Sequence, residues 1–226
     1  MREQASMIEA VPGAAEIRRT YDLWSTFYGW FSLAVKRGIF RRAFERAAIR
    51  PGERVLEVAV GPGVAFVEIL RRVGRDDTVE GVDFSSGMLA KTQQRARGAG
   101  FANFRLQQAD ARRLPFADNT FDVLFNSYMF DLLPIPDMSQ VLGEFHRVLR
   151  PGGRLVLVNL SKRNETVVTL WERLYRRLSP HWAARLLGGC RPVLTAGLVK
   201  ATGFTEVERE YIPHLMATEL VSARKP

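Results

Sequence analysis

The sequence predicts an α/β protein in which a largely parallel sheet is covered by helices on both faces. Three observations carry that prediction. Short apolar runs rich in valine, leucine and phenylalanine alternate with stretches of helical apolar spacing, the order produced by successive β-α-β units. The first run, Arg54-Val-Leu-Glu-Val-Ala-Val-Gly-Pro-Gly63, contains an acid near its end and passes into a small-residue turn. A second acid, Asp83, closes the next run at 78–83. A lightly decorated backbone at the carboxyl edge of such a sheet lets a ligand approach closely, and the two acids meet its charged or hydroxylated groups there.

The remaining elements follow in order. Residues 64–73 carry apolar side chains at helical spacing and stop at Gly74. After Asp83 come Ser85 and Ser86, N-cap residues for a helix over 87–97. Residues 103–108, 121–126 and 154–159 read as the third, fourth and fifth strands. A helix over 138–149 precedes the fifth and is stopped by Pro151, Gly152 and Gly153. A helix over 195–202 leads to extended runs at 205–211 and 215–223, joined by a short turn at Pro213. Two strands so joined form a hairpin, which makes the last antiparallel to the others. A chain of 226 residues, 46% hydrophobic, with no linker or repeat, makes one domain. Within it 1–50 read as a helical N-terminal cap, 51–160 as the ligand-binding core, 161–190 as a lid and 191–226 as the closing helix and hairpin.

Composition excludes several classes. The single Cys190 cannot form an intrachain disulfide, and residues 1–7 contain no apolar leader, so a cytoplasmic protein is expected. Lys36, Arg37, Arg41 and Arg42 interrupt the most hydrophobic region, so no run reaches the roughly 18 to 20 apolar residues of a membrane span. No Cys/His cluster has ligand spacing, and no metal site is expected. The net charge of +9 is mostly arginine spread over the helices. Such charge suits solvated helix faces, an anionic membrane surface or nucleic acid, and does not choose among them. Basic residues do not alternate with aromatics in a strand pattern, which makes nucleic acid the least supported partner.

Glycine spacing narrows the ligand. A dinucleotide fingerprint needs a third glycine where this chain has Phe66, so a pyrophosphate approach is disfavoured. The segment Glu57-Val-Ala-Val-Gly-Pro-Gly63 instead resembles the E/D-x-G-x-G-x-G loop of class I S-adenosylmethionine (AdoMet)-dependent methyltransferases, with Ala59 at the first glycine. An alanine there is expected to stay extended, because a left-handed one costs about 1 to 2 kcal/mol. Three further segments are similar to the same superfamily in the same order: Gln108-Ala-Asp-Ala111, Leu114 through Asn126, and Leu149-Arg-Pro-Gly-Gly153. The resemblance runs from Tyr21 to Ala223 and is nearest the quinone-biosynthesis and phosphatidylethanolamine N-methyltransferase branch. It implies a Rossmann-like, doubly wound, mostly parallel seven-stranded sheet with an antiparallel C-terminal hairpin strand and a helical N-terminal cap.

The resemblance also implies roles. Glu57 faces the cofactor's cationic amino group, and the backbone of Ala59, Gly61 and Gly63 lies along its tail and ribose. Asp83 accepts from both ribose hydroxyls. Phe84 and Met88 sandwich the adenine, Asp110 accepts from its exocyclic amine beside the Ala111 amide, the Asn126 carbonyl completes the amino-group site, and Tyr21 reaches the carboxylate. Each has a plainer reading: an exposed acid at a strand end for Glu57 and Asp83, core packing for Phe84 and Met88, a ligand-free turn for the glycines. The implied reaction converts AdoMet to S-adenosylhomocysteine.

Methyl transfer from a sulfonium is an in-line displacement, for which alignment and exclusion of water do most of the work. Tyr128, Phe130 and Asp131, just beyond the fourth strand, are the expected acceptor contacts, with Tyr128, Asp131 and the lid residue His181 as catalytic candidates. His146 reads as a packing residue. The aromatic stretch of Leu23, Trp24, Phe27, Tyr28, Trp30, Phe31, Ile39, Phe40 and Phe44 is either a cap over the cofactor or a cap that also meets lipid. Removing residues before about Val55 is expected to abolish turnover and leave a folded sheet. The lid repeats this basic amphipathic character near Leu170 and Trp182, which favours a small or lipid-like acceptor, a quinone precursor or an aminophospholipid, and peripheral contact with the inner membrane surface. A soluble-metabolite methyltransferase and a non-catalytic AdoMet-binding module remain open.

Overall fold

The computed structural model describes residues 7–10, 28–75, 77–167, 169–179, 182, 189–213 and 217–226; for 28–37, 171 and 176 it describes the backbone alone. Tyr21, Leu23, Trp24, Phe27, His181 and Leu215 lie outside the described residues.

Helix α1 (Tyr28–Ala47) leads into strand β1 (Val55–Val58), helix α2 (Val64–Val73), strand β2 (Val79–Asp83), helix α3 (Ser86–Gly98) and strand β3 (Phe104–Gln108). Strand β4 (Phe121–Ser127), helix α4 (Ile135–Val148), strand β5 (Leu149–Leu160), helix α5 (Leu170–Arg177), helix α6 (Ala196–Ala201), strand β6 (Thr205–Ile212) and strand β7 (Thr218–Arg224) complete the described elements. One seven-stranded sheet has the order β3-β2-β1-β4-β5-β7-β6. Its first five strands pair in parallel, and β7 runs antiparallel to both β5 and β6, as expected of the hairpin.

Side chains of a strand alternate between faces, and the two cores divide accordingly. Leu56, Val58, Leu124, Leu155, Leu157 and Val221 pack with α4 and α6 on one side. Val55, Val123, Phe125, Val156 and Leu220 pack with α1 and α2 on the other. The second half of α1 is therefore part of the core: Ile39, Ala43, Phe44 and Ala47 are buried in it, and Arg42 and Arg46 pair with Glu210 and Glu208 of β6. Arg154 of β5 donates to the Ala47 carbonyl at 2.8 Å. Helix α1 thus covers the β5 and β7 part of that face beside α2, so removing the residues before Val55 takes buried core as well as the cap.

Two local expectations change. The helix of 138–149 starts earlier, at Ile135, and ends at Val148; the Pro-Gly-Gly segment is an irregularity within β5, with Leu149 already paired to Phe121. Gly152 and Gly153 exchange backbone hydrogen bonds with Lys225 there, and a Cβ on Gly153 would fall 2.7 Å from the Arg150 carbonyl. Ala59 is left-handed, with φ 59°, not extended. The cause lies in its neighbours: Val60 donates to the Val82 carbonyl at 3.2 Å and Gly61 to Asp83 Oδ2 at 2.9 Å, so the chain must fold back over the end of β2 within two residues.

Residues 7–10 run beside the start of α4. Glu9 Oε1 accepts from the Ile135 amide at 3.0 Å, and the fully buried Arg191 donates to the carbonyls of Ile8, Asp131 and Leu133. Among the described residues, no helix is long and apolar enough to cross a membrane.

Candidate ligand site

A cavity of about 370 Å³ opens at the carboxyl ends of β1, β2 and β4. β1 lies between β2 and β4, so the chain winds away from it in both directions and the crevice falls where ligands enter open α/β sheets. Its wall carries Glu57, Ala59, Gly61, Asp83, Phe84, Met88, Asp110 and Ala111 together, most of the cofactor set expected from sequence.

The glycine turn is held from outside by α3. Thr92 Oγ1 donates to the Gly61 carbonyl at 2.7 Å and Arg95 Nε to that of Pro62 at 2.7 Å. Gly63, at φ 77°, caps α2 and is absent from the cavity wall; a Cβ there would lie 2.9 Å from Thr92 Cα. Its role is the close approach of α2 and α3. Asp83 accepts from the Gly61 amide at 2.9 Å and the Ser85 amide at 2.8 Å, so this carboxylate also shapes the loop. Ser85 in turn caps α3, accepting from the Met88 amide at 3.2 Å, and Met88 lines the cavity together with the half-exposed Phe84.

Glu57 is 1% exposed, and its Oε2 has no hydrogen-bond partner. Burial, reinforced by the nearby Asp83 charge, pushes its carboxyl well above the usual range. A buried acid with an unpartnered oxygen in a cavity is the clearest mark of a ligand site, because nothing among the described residues compensates its cost. Asp110 is different: hydrogen bonds from the Arg112 guanidinium hold its carboxyl below the usual range, at 2.6 Å from Nη2 to Oδ2. Arg112 also reaches Asp137 at 3.1 Å. Phe40, from the aromatic stretch expected to cap the cofactor, lines the cavity; Arg112, Asp137, Leu132 and Leu133 line it too and were missed in the sequence, where they lie in unremarkable stretches.

Of the acceptor-side candidates, Tyr128 lines the cavity and Phe130 and Asp131 do not. Tyr128 adopts φ 54°, and its amide donates to the Val158 carbonyl at 2.7 Å. Burial pushes its phenol far above its ordinary value, so it stays protonated and is disqualified as a base. Phe130 is buried against Phe145 at 5.9 Å, and Asp131 is fully buried, accepting from the Leu160 amide at 3.4 Å; the tight turn after β4 points both into the core. Asn126 is likewise inside the sheet, its amide donating to the Val58 carbonyl at 2.8 Å, and it is not on the cavity wall. His146 packs edge-on against Phe204 at 5.0 Å, away from the cavity. Tyr21 and His181 lie outside the described residues.

Above the ends of β4 and β5, Thr169 and Glu172 form a capping box at the start of α5. Glu172 also pairs with Lys162 at 3.0 Å, both side chains 1% exposed. The ion pair lies within the segment expected to be a lid, whose start is bound to the sheet by Ser161, donating to Glu219 of β7 at 3.0 Å, and by Arg209 of β6, donating to the Lys162 carbonyl at 2.6 Å. Among the described residues, no cluster of His, Cys, Asp and Glu suits a metal ion.

Fold and site together define a nucleotide-binding α/β protein of the doubly wound kind. Residues 55–153 match the family described as "Methyltransferase domain". The chain is 31% identical over 158 residues to a demethylmenaquinone methyltransferase of Lactobacillus johnsonii, covering 70% of this chain and 64% of that protein. It is 30% identical over 161 residues to the ubiquinone/menaquinone biosynthesis C-methyltransferase UbiE of Geotalea daltonii, covering 69% of this chain and 67% of that protein. The chain belongs to the class I AdoMet-dependent methyltransferase family. It spans between 52% and 67% of the length of such relatives. Among solved structures, the N-methyltransferase NodS of Bradyrhizobium japonicum, in complex with S-adenosylhomocysteine, superimposes with a TM-score of 0.72 at 14% identity, over 93% of this chain and 99% of that one. The cyclase SpnF gives 0.76 at 19% identity, over 97% and 98%. That a cyclase shares the fold shows why fold alone does not assign a reaction.

Proposed function

We propose that the protein transfers a methyl group from AdoMet to a small apolar acceptor of the quinone-precursor kind. The observation that carries the reading is Glu57, a fully buried carboxylate with an unpartnered oxygen on the wall of a ligand-sized cavity. A cationic amino group is the natural partner of such an acid. Asp83, a carboxylate at the end of β2 on the cavity wall, is the acceptor suited to ribose hydroxyls. Phe84 and Met88 offer faces for adenine, and Asp110 offers an acceptor for its amine once Arg112 yields. When bound, AdoMet supplies an electrophilic methyl group on a sulfonium.

The rest falls to the chain's own residues. Phe40, Tyr128, Met129, Leu132 and Leu133 give the cavity an apolar wall that excludes water and suits an uncharged ring better than an ammonium headgroup. The names of the relatives point to the same acceptor chemistry. Among the described residues no histidine lines the cavity, so alignment carries the reaction. In the deciding experiment the protein is incubated with methyl-labelled AdoMet and either a demethylated quinone or water-soluble phenols and amines. Label is expected in the organic extract with the quinone. Label transferred only to soluble acceptors would refute the apolar-acceptor reading, and tight cofactor binding without any transfer would make the protein a binding module.

An apolar acceptor resides in membranes, and α5 suits contact with one. Outside the cavity, the exposed large apolar side chains among the described residues are Val167, Leu170, Leu174 and Trp182, all in or beside α5. Arg163, Arg173 and Arg177 are exposed alongside them. Apolar residues at the acyl boundary with cations toward anionic headgroups is the pattern of an interfacial helix. Cosedimentation with anionic vesicles is expected at low salt and should weaken as salt rises, each cation contributing about 1 kcal/mol. Replacing both Leu170 and Leu174 by Asp should abolish it without unfolding the protein. Binding that ignores lipid charge, or survives the double substitution, would remove α5 from the membrane surface.

A further inference from the structure

Glu57 and Asp83 line one cavity, and the hydrogen-bond donors around them are divided unequally. Asp83 receives two backbone N–H groups, from Gly61 and Ser85. Glu57 Oε2 receives none, and the side chain is 1% exposed. Two neighbouring carboxylates in a water-poor site do not both ionise cheaply, and the one with donors keeps the charge.

Among the described residues no cation offsets this. On β4, Asn126 is neutral, with its amide donating to the Val58 carbonyl. Beyond β3, the cavity's other charges are Asp110, Asp137 and Arg112, and the guanidinium of Arg112 is engaged by the two aspartates. The residues that α1, α2 and α3 bring to the wall are apolar: Phe40, Val64, Ala65 and Met88.

We propose that Glu57 holds a proton before the cofactor binds, and that the cofactor's cationic amino group expels it to solvent, so that binding and proton release are one event. This rests on the AdoMet reading and adds to it a pH dependence of the same site. The ammonium keeps its own protons; the O–H bond that breaks is that of Glu57, and a buffer base takes the proton. Burial and the Asp83 charge already push the Glu57 carboxyl upward, the direction the linkage needs. The sign follows. Below the Glu57 pKa of the free protein each binding event must displace a proton, so affinity climbs about tenfold per pH unit and levels off above it. A free α-amino group titrates at about 7.7 to 8.0, so measurements near pH 6 leave the ligand's amine fully charged.

The experiment is calorimetric titration of the full chain with S-adenosylhomocysteine, which has the same tail and cannot turn over, at several pH values from about 5 to 6.5 in buffers of different protonation heat. At each pH the heat should vary linearly with the buffer's heat, the slope rising toward one proton released per ligand as the pH falls, and Glu57→Gln should bring the slope near zero. Saturable binding whose heat is indifferent to buffer would overturn the proposal, as would an equal slope in the E57Q variant. Absence of binding in every buffer would overturn the cofactor reading itself, and this inference with it.

Discussion

The Asp83→Ala variant is expected to bind S-adenosylhomocysteine roughly ten- to a hundredfold more weakly from the lost ligand contact alone, since a hydrogen bond to a charged group is worth about 1.5 to 3 kcal/mol. The full effect should exceed that range. The same carboxylate accepts from the Gly61 and Ser85 amides, so its removal frees the glycine turn and the start of α3 together. Ala59 sits in that turn at φ 59°, a conformation the surrounding contacts must enforce against a cost of about 1 to 2 kcal/mol. Asp83→Asn keeps one accepting oxygen and should fall between wild type and alanine. Calorimetry showing unchanged affinity in Asp83→Ala would refute the ribose assignment. A large affinity loss with an unchanged melting temperature would separate the ligand contact from the loop contact.

Phe44→Ala is expected to cost about 3 to 5 kcal/mol of stability, the usual loss for a buried aromatic. Its ring stacks on Phe125 with centroids 4.9 Å apart and planes 11° from parallel, and the Arg72 guanidinium lies 4.3 Å above it. At about 2 to 4 °C per kcal/mol for a chain of this size, melting should fall by roughly 10 °C. Phe40→Ala, one turn earlier, should behave differently. Phe40 is only partly buried, meets Tyr128 edge-on at 6.4 Å and lines the cavity, so its loss should weaken binding more than folding. Equal melting of the Phe44 variant and wild type would show that α1 merely covers the sheet.

The sheet and its acids were legible because their signals are local. A run such as Val55 to Val58 ending beside glycines, or Ser85 ahead of a helix, declares itself within a few residues, and the order of four motifs supplied the rest. What escaped depends on distant partners. Arg112 meets Asp137 across 25 positions of sequence, and nothing near either residue announces the pair. Gly63 looks like ligand-facing backbone until Thr92 is found against it. Phe130 and Asp131 follow a strand end in the same way as Tyr128, yet only the left-handed turn at Tyr128 decides which of the three faces the cavity. Arg191 and Lys162 are charged residues whose burial no periodicity foretells.

The place of β7 in the sheet constrains the order in which the molecule is assembled during synthesis. β6 leaves the ribosome first, yet its hydrogen-bonded neighbour is β7 alone, which separates it from β5. Strands β1 to β5 can pair while the chain is still being made, at about 5 to 20 residues per second, but β6 then has no edge to join. It must wait, and it docks with β7 as a finished hairpin, whose formation takes only about 1 to 10 μs once both strands are present. Until that moment the edge of β5, covered by β7 in the folded chain, stays open to any other extended chain nearby, which makes the nascent polypeptide most vulnerable to misassociation just before β7 emerges.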